Sequence, residues 1–447
     1  MPARKFVLFL LSLSLLGAFA IAQTNKDKDK KPKLTAPAVP EPVARTPYSD
    51  VRRESLLNGL QIITLERRDE PKINCQLVIR GGAMYDLVGK TGLAILTAES
   101  LLAVNPQLVQ ELESLDATIK WGVSSDTSWF QIEAPGGNLD QALAIIGRLL
   151  VVESVRKDAF EAAQKARLEK LKVARSTPAQ KANEAFFSTL FGEHPYAHNV
   201  EGDATSVASI KYGDVLDFYK RVYLANNMFA VVHGNLRHDR VMTLFRMFYG
   251  SWIKGVPAPP TFRPPFRTLE ARVQKIEQPD LPNVEVRGGV IGVSHTDADY
   301  IATRLVGLVL ENRLKKLEPG TTVQFAPRML VAPVYFHASV PADKAVGFSR
   351  QATDLFATFD KSEISEVELA TAQSVLLKEH EGRAITEYLE EIATFKLSET
   401  YPLTYESKVK AVSTIDLQRV AKRLLEANAL TVLVLGKVVE GVKSQSE

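Results

Sequence analysis

Displacing the chain against itself by 202 residues superposes Asp214 on Asp416, Lys220 on Lys422, Arg221 on Arg423, Ala225 on Ala427, Asn226 on Asn428, Val232 on Val434 and Gly234 on Gly436. In both copies a charged helical segment runs into an Ala-Asn turn, then a β-branched strand, then a glycine. Identities at one constant offset over so short a span predict two copies of one α/β unit. An apolar run leading into Arg-Gly-Gly also recurs, at Arg80-Gly81-Gly82 and Arg287-Gly288-Gly289, and predicts a strand and double-glycine turn in each copy. Between the copies, GVPAPPTFRPP (Gly255 to Pro265) holds five prolines in eleven residues, which excludes helix and interior strand. The expected units are therefore 48–254 and 271–440, joined by a stiff linker over 255–270.

A chain of 447 residues, 45% hydrophobic and 24% charged, has ample material for two cores. The segment 1–22 has the three parts of a secretory signal: Arg4 and Lys5, the apolar run Phe6 to Leu16, and Ala20-Ile21-Ala22 before a cleavage at Gln23. An uncleaved membrane anchor is the competing reading of that run. Residues 23–47, which include NKDKDKKPK and TAPAVPEPVARTP, are too polar and proline-rich to fold and read as a linker. The expected location is thus outside the cytoplasm, periplasmic or secreted. Net charge is +3, and 53 basic against 52 acidic residues remain once Arg4 and Lys5 leave with the signal. So even a balance gives no electrostatic reason to expect nucleic acid or, beyond the possible anchor, a membrane as partner.

Strands are expected over Leu60 to Leu65 and Ile73 to Ile79, and a hairpin over Thr118 to Ala134. Helical periodicity covers Thr91 to Ala103, Gln107 to Leu115, a run from Leu139, Asp158 to Arg175, Pro178 to Leu190 and Tyr212 to Tyr223. The lone cysteine, Cys75, lies within an apolar strand and reads as a small core residue. His194 and His198, with Glu193 and Glu201 near them, are the best metal-like pair, but Pro195 between them denies them one helical face. His233, His238, His295, His337 and His380 read as ordinary packing or exposure, and Ser294 lacks the second glycine of a nucleophile elbow.

One stretch, IRGGAMYDLVGKTGLAILTAESL from Ile79 to Leu101, passes from strand through a glycine turn into an apolar helix. It resembles the zinc-bearing segment of the pitrilysin/insulysin and mitochondrial-processing-peptidase family, whose helix carries H-x-x-E-H. His194-Pro195-Tyr196, followed by Gly202, Ile210, Asp214, Phe218, Tyr219, Asn226-Asn227-Met228 and Val231 to Gly234, matches a further family signature in order. The resemblance implies an α+β fold of two homologous halves, each an antiparallel sheet with helices on one face, enclosing a chamber. It also implies an extended polypeptide held there by edge-strand pairing.

Laid on the family's G-L-A, residues Gly92-Leu93-Ala94 put Ile95 and Glu99 where the two imidazoles belong and Ala98 where the general base belongs. By its distance from Pro178, Glu169 answers to the family's third ligand. Carboxylates without imidazole make a poor zinc site, and Ala98 takes no proton from water. The family's Arg/Tyr pair, in R-x-x-x-G-L-x-Y, is matched by Lys316 and Val323, so neither half of a composite active site is supplied. The resemblance therefore implies an exported, non-catalytic homologue with no cofactor, paired with a homologous zinc peptidase subunit that bears H-x-x-E-H. Glu99 is expected in the chamber's solvent or paired with a base such as Arg167 or Lys170. The alternatives are a stand-alone peptide-binding holdase, or a zinc metallopeptidase rebuilt on Glu99, Glu169 and His194 or His198.

Overall fold

The computed structural model describes residues 50–103, 106–150, 155–173, 177–257, 264–265, 270–325 and 327–437. The expected signal over 1–22, the linker over 23–47 and most of the stretch 255–270 lie outside them. Among the described residues no helix is long and apolar enough to cross a membrane. The described residues fall within one compact unit.

Two sheets organise it. The first holds β1 (Arg52–Ser55), β2 (Gln61–Glu66), β3 (Lys72–Ile79), β4 (Thr118–Val123), β5 (Ser128–Pro135) and β6 (Met228–Gly234), in the order β1-β2-β6-β3-β5-β4. The second holds β7 (Arg272–Glu277), β8 (Asn283–Ile291), β9 (Thr322–Gln324), β10 (Pro333–Pro341) and β11 (Thr431–Gly436), in the order β7-β11-β8-β10-β9. The repeat is real in space: β2-β6-β3-β5-β4 and β7-β11-β8-β10-β9 follow the same path. The duplicated glycines Gly234 (φ +135°) and Gly436 (φ +145°) end equivalent strands in a conformation that favours glycine. The sheets are mixed rather than wholly antiparallel, because β2 pairs parallel with β6 and β7 parallel with β11.

Helices α1 (Leu93–Ala103), α2 (Pro106–Ser114), α3 (Leu139–Leu149), α4 (Lys157–Val173), α5 (Pro178–Phe191), α6 (Ala204–Ser209), α7 (Tyr212–Val222) and α8 (His238–Tyr249) belong to the first half. The second half has α9 (Tyr300–Lys315), α10 (Ala345–Thr358), α11 (Glu366–Gly382), α12 (Ile385–Thr394), α13 (Tyr401–Lys410) and α14 (Thr414–Leu424). Most cover the outer face of their own sheet, but one helix from each half crosses to the other. Ile73, Cys75, Leu77 and Ile79 of β3 pack under their own helices, whereas Val78, with Phe229 and Val231 of β6, shares a core with Leu389 and Ile392 of α12. Reciprocally, Phe186 of α5 packs on Ile291 of β8 and on Leu433 and Leu435 of β11. Helices therefore lie on both faces of each sheet, and that is why β6 and β11 are apolar almost throughout rather than alternating.

Arginines fasten the crossed helices. Arg80 donates to the Ala393 carbonyl at 3.0 Å, and Arg287, buried in β8, donates to Asn183 Oδ1 at 2.8 Å and to Glu285 at 3.0 Å. The two Arg-Gly-Gly runs are not the same local structure, contrary to their sequence likeness. Gly81 and Gly82 follow the end of β3, whereas Arg287-Gly288-Gly289 lies inside β8. There a Cβ on Gly288 would stand 2.3 Å from the Phe336 ring, so the glycine makes room for an aromatic neighbour rather than a turn. Cys75 is fully buried, and burial pushes its thiol up to about 12, which leaves it inert as a nucleophile.

Candidate functional site

The N-terminus of α1 is locked before any functional side chain is reached. Gly92 has φ +90°, and the Glu201 carbonyl lies 3.1 Å from where its Cβ would stand, so the chain around Glu201 abuts the helix start. Thr91 Oγ1 donates to Ser206 Oγ at 2.8 Å, and that hydroxyl donates to the Thr91 carbonyl at 2.9 Å. Asp86 reaches across from the preceding loop and accepts the Gly92 and Ala94 N–H groups at 2.7 and 2.8 Å. It thereby serves helix-end donors that have no intrahelical partner.

Burial pushes the Asp86 carboxyl from 3.8 up to about 7, with the N–H groups of Ala94, Gly92 and Leu93 pulling the other way. A raised folded value means the folded state binds the proton more tightly between those two pH values. Its contribution to stability is therefore fully present below the unfolded value and is lost as pH rises towards 7. Asp86→Asn is expected to flatten that slope in urea melts at pH 4 and pH 7, whereas Asp86→Ala loses the cap at both, by about 1–2 kcal/mol. A slope unchanged in Asp86→Asn would refute this assignment.

Along α1, Ile95 is 5% exposed and Ala98 fully buried. Glu99, one turn beyond Ile95 on the same helix face, meets Arg167 of α4. Arg167 is 1% exposed, and its Nε and Nη2 donate to the two Glu99 oxygens at 2.8 and 2.5 Å. Its Nη1 donates to Glu201, brought in by the Gly92 contact. Burial works against the guanidinium's charge, but Glu99 and Glu201 outweigh it and raise its pKa further. Of the two bases expected near Glu99, Arg167 is the partner.

Glu169 lies about 200° further round α4 than Arg167. It is exposed and paired with Lys172 at 2.8 Å. The α4 side chain facing Glu99 is thus the cation Arg167, and Glu169, expected to answer to the third ligand, points elsewhere on the helix. The residues at this cradle do not fit zinc: one carboxylate is forked onto a guanidinium, and Ile95 and Ala98 offer no donor. Among the described residues no three His, Cys, Asp or Glu side chains group to hold a metal.

The other expected positions are dispersed. Lys316 is exposed beyond the end of α9, and Val323 is half-buried in edge strand β9, its N–H donating to Glu311 at 2.8 Å. His194 accepts the Tyr196 N–H at 3.1 Å on Nδ1 and packs its ring on Tyr196, while His198 is exposed. Tyr196 carries more of the structure than either histidine. Its hydroxyl donates to Asp126 Oδ1 at 2.6 Å, Asp126 Oδ2 accepts the Met329 N–H at 3.0 Å, and the Arg328 guanidinium lies 4.6 Å from the Tyr196 ring centre. This joins the β4–β5 turn to the second half. His295 is wedged between Tyr300 and Phe395 and bonded to Glu391 at 2.5 Å, which is packing, as expected for it.

On the inner face of the first sheet a cavity of about 580 Å³ opens towards α12. Asn74, Gln76, Lys120, Trp129, Gln131, Glu133 and His233 contribute from the strands, Glu70 from the β2–β3 turn, and Thr386, Glu387 and Glu390 from α12. Nothing in the sequence pairs these residues, although a glutamine inside the apolar strand KINCQLVI is a visible irregularity.

Comparison with known proteins agrees with the fold. Residues 209–376 match the family described as Peptidase M16 inactive domain. An uncharacterised zinc protease of Mycobacterium tuberculosis is 21% identical over 205 residues, 45% of this chain and 47% of that protein. The chain spans about half the length of the curated relatives it matches. The crystal structure of a peptidase M16 inactive domain from Pseudomonas fluorescens superposes with a TM-score of 0.80 at 20% identity, over 87% of this chain and 98% of that one. The first half of the periplasmic protease PqqL from Escherichia coli superposes with a TM-score of 0.73 at 15% identity, over 87% and 92%; of the whole of PqqL the chain covers 47%. The match to the peptidase M16 inactive-domain family thus lies in residues 209–376, and the likeness in fold extends over most of the chain.

Proposed function

We propose that this chain is an exported, non-catalytic M16 subunit that pairs with a homologous chain bearing H-x-x-E-H and helps to enclose an extended polypeptide. The observation that carries the reading is the cradle between α1 and α4: Arg167 is forked onto Glu99 and touches Glu201, so a fixed guanidinium supplies positive charge where the family's chemistry calls for a metal ion. Ala98 offers no general base and Ile95 no ligand. Loss of the base alone is worth about 10²–10⁴ in rate. The edge strand β4 pairs on one side only, with β5, and leaves backbone groups on its other side for a bound peptide.

Co-expression with a homologue from the same organism that retains H-x-x-E-H tests the reading. The expected result is a stable complex with chelator-sensitive peptidase activity, and no such activity from this chain purified alone. A chain that stays monomeric with every such homologue, or that cleaves peptides by itself with bound zinc, would overturn it.

A further inference from the structure

The cavity under α12 is built around acceptors with too few donors. Asn74, Gln76 and Val78 project from one face of β3, and the register places Gln131 opposite Gln76, Glu133 opposite Asn74, and His233 beside Asn74 on the other side. Four carboxylates line the space, those of Glu70, Glu133, Glu387 and Glu390, against Lys120 alone as a fixed cation. Three of the four have partners: Glu70 bonds His233 at 2.8 Å, Glu133 pairs with Lys72 at 3.2 Å, and Glu387 with Arg383 at 3.3 Å. Glu390 has no ion pair among the described residues; its carboxylate accepts one long bond, 3.3 Å, from Gln76 Nε2. Burial raises its carboxyl pKa, with Gln76 pulling it down, Glu387 adding to the rise and the more distant Arg383 lowering it.

Gln76 is the independent sign that something is meant to enter. Its side chain is only 4% exposed, it lines the cavity, and its Oε1 has no hydrogen-bond partner. An orphaned buried acceptor costs about as much as a hydrogen bond is worth, and native interiors seldom leave one without reason. Beside it stands Trp129, half-buried, its indole laid over Gly122 of β4 with atoms 2.6–3.0 Å from where a Cβ would be. An unpaired carboxylate, an unused amide oxygen and an aromatic face converge on one space, and together they ask for a group with positive charge and several N–H donors.

We propose that this cavity is the subsite for a cationic group of the bound polypeptide, an ammonium or guanidinium whose charge is met by Glu390 and whose second N–H is taken by Gln76 Oε1, with Trp129 as the flanking wall. This rests on the reading of the chain as a polypeptide-holding M16 subunit and deepens it, by naming the side-chain chemistry that the first sheet selects. A lysine, an arginine and a free peptide N-terminus present the same chemistry.

Fluorescence anisotropy on the full chain, with labelled unstructured peptides of one length, separates the outcomes. The series carries at one central position norleucine, lysine or arginine, each with a free or an acetylated N-terminus. Lysine or arginine peptides are expected to bind about tenfold more tightly than the norleucine peptide, the gain of a charge-assisted bond. Glu390→Gln is expected to bring that ratio close to one. A preference that follows the free N-terminus assigns the site to the terminal ammonium instead of a side chain and still supports it. Equal binding of all peptides by the wild-type chain overturns the subsite while leaving the polypeptide-holding reading intact. So does a preference that survives Glu390→Gln. No binding of any peptide overturns both. The wild-type comparison needs no variant, so it decides even if Glu390→Gln folds poorly.

Discussion

Replacing Arg167 by methionine is expected to lower stability by about 3–5 kcal/mol, the range for removing one partner of a buried ion pair. Arg167 is fully buried as a side chain, Glu99 is 19% exposed, and Glu201 is 47% exposed. Loss of the guanidinium lets Glu201 turn to water but leaves Glu99 among the apolar residues of α1 with no counter-charge. The penalty therefore falls chiefly on Glu99, and Arg167→Met combined with Glu99→Leu is expected to recover most of it, because uncharged side chains of similar bulk replace a buried pair at little net cost. Urea midpoints of the two single variants and the double variant give the coupling directly. A single variant within about 0.5 kcal/mol of wild type would mean that Glu99 is well hydrated and that the pair is surface-like.

The second large effect concerns metal. The wild-type chain is expected to carry no stoichiometric zinc after dialysis, whereas Ile95→His, Ala98→Glu, Glu99→His and Arg167→Glu together are expected to retain one equivalent. Positions 95 and 99 lie one turn apart on one face of α1, and position 167 is the place on α4 that meets residue 99. The first three substitutions with Arg167 kept are expected to hold none, since a buried guanidinium would stand against the divalent ion. Elemental analysis of the three proteins decides this. Zinc in the triple variant, or none in the quadruple one, would show that Arg167 does not occupy the place of the missing ligand.

Much of this arrangement is written in local sequence. Seven identities at one offset establish the duplication. The periodicity from Thr91 to Ala103 puts Ile95 and Glu99 on one face, and Pro178 starts α5 in a capping box of Thr177 and Gln180. These signals survive because each depends on residues within a turn or two of one another. The Arg-Gly-Gly likeness misled for the complementary reason: three residues specify neither whether a strand continues through them nor which aromatic ring lies across them. A spacing measured from Pro178 carries an error of a residue or two, and a shift of two on a helix reverses the face, so it does not say which α4 side chain meets Glu99.

What sequence alone determined was the kind of chain: a duplicated α/β unit whose apolar helix from Leu93 to Ala103 carries no imidazole. Tertiary structure decided everything that depends on contacts between distant segments. Glu99 and Arg167 stand 68 positions apart, Gln76 and Glu390 314, and no pattern within either segment announces the other. Those meetings follow from the helix each half lends to the opposite sheet and from the packing of α1 on α4. The burial of apolar surface that drives that packing is non-directional, so only the assembled shape says which polar side chains are brought face to face.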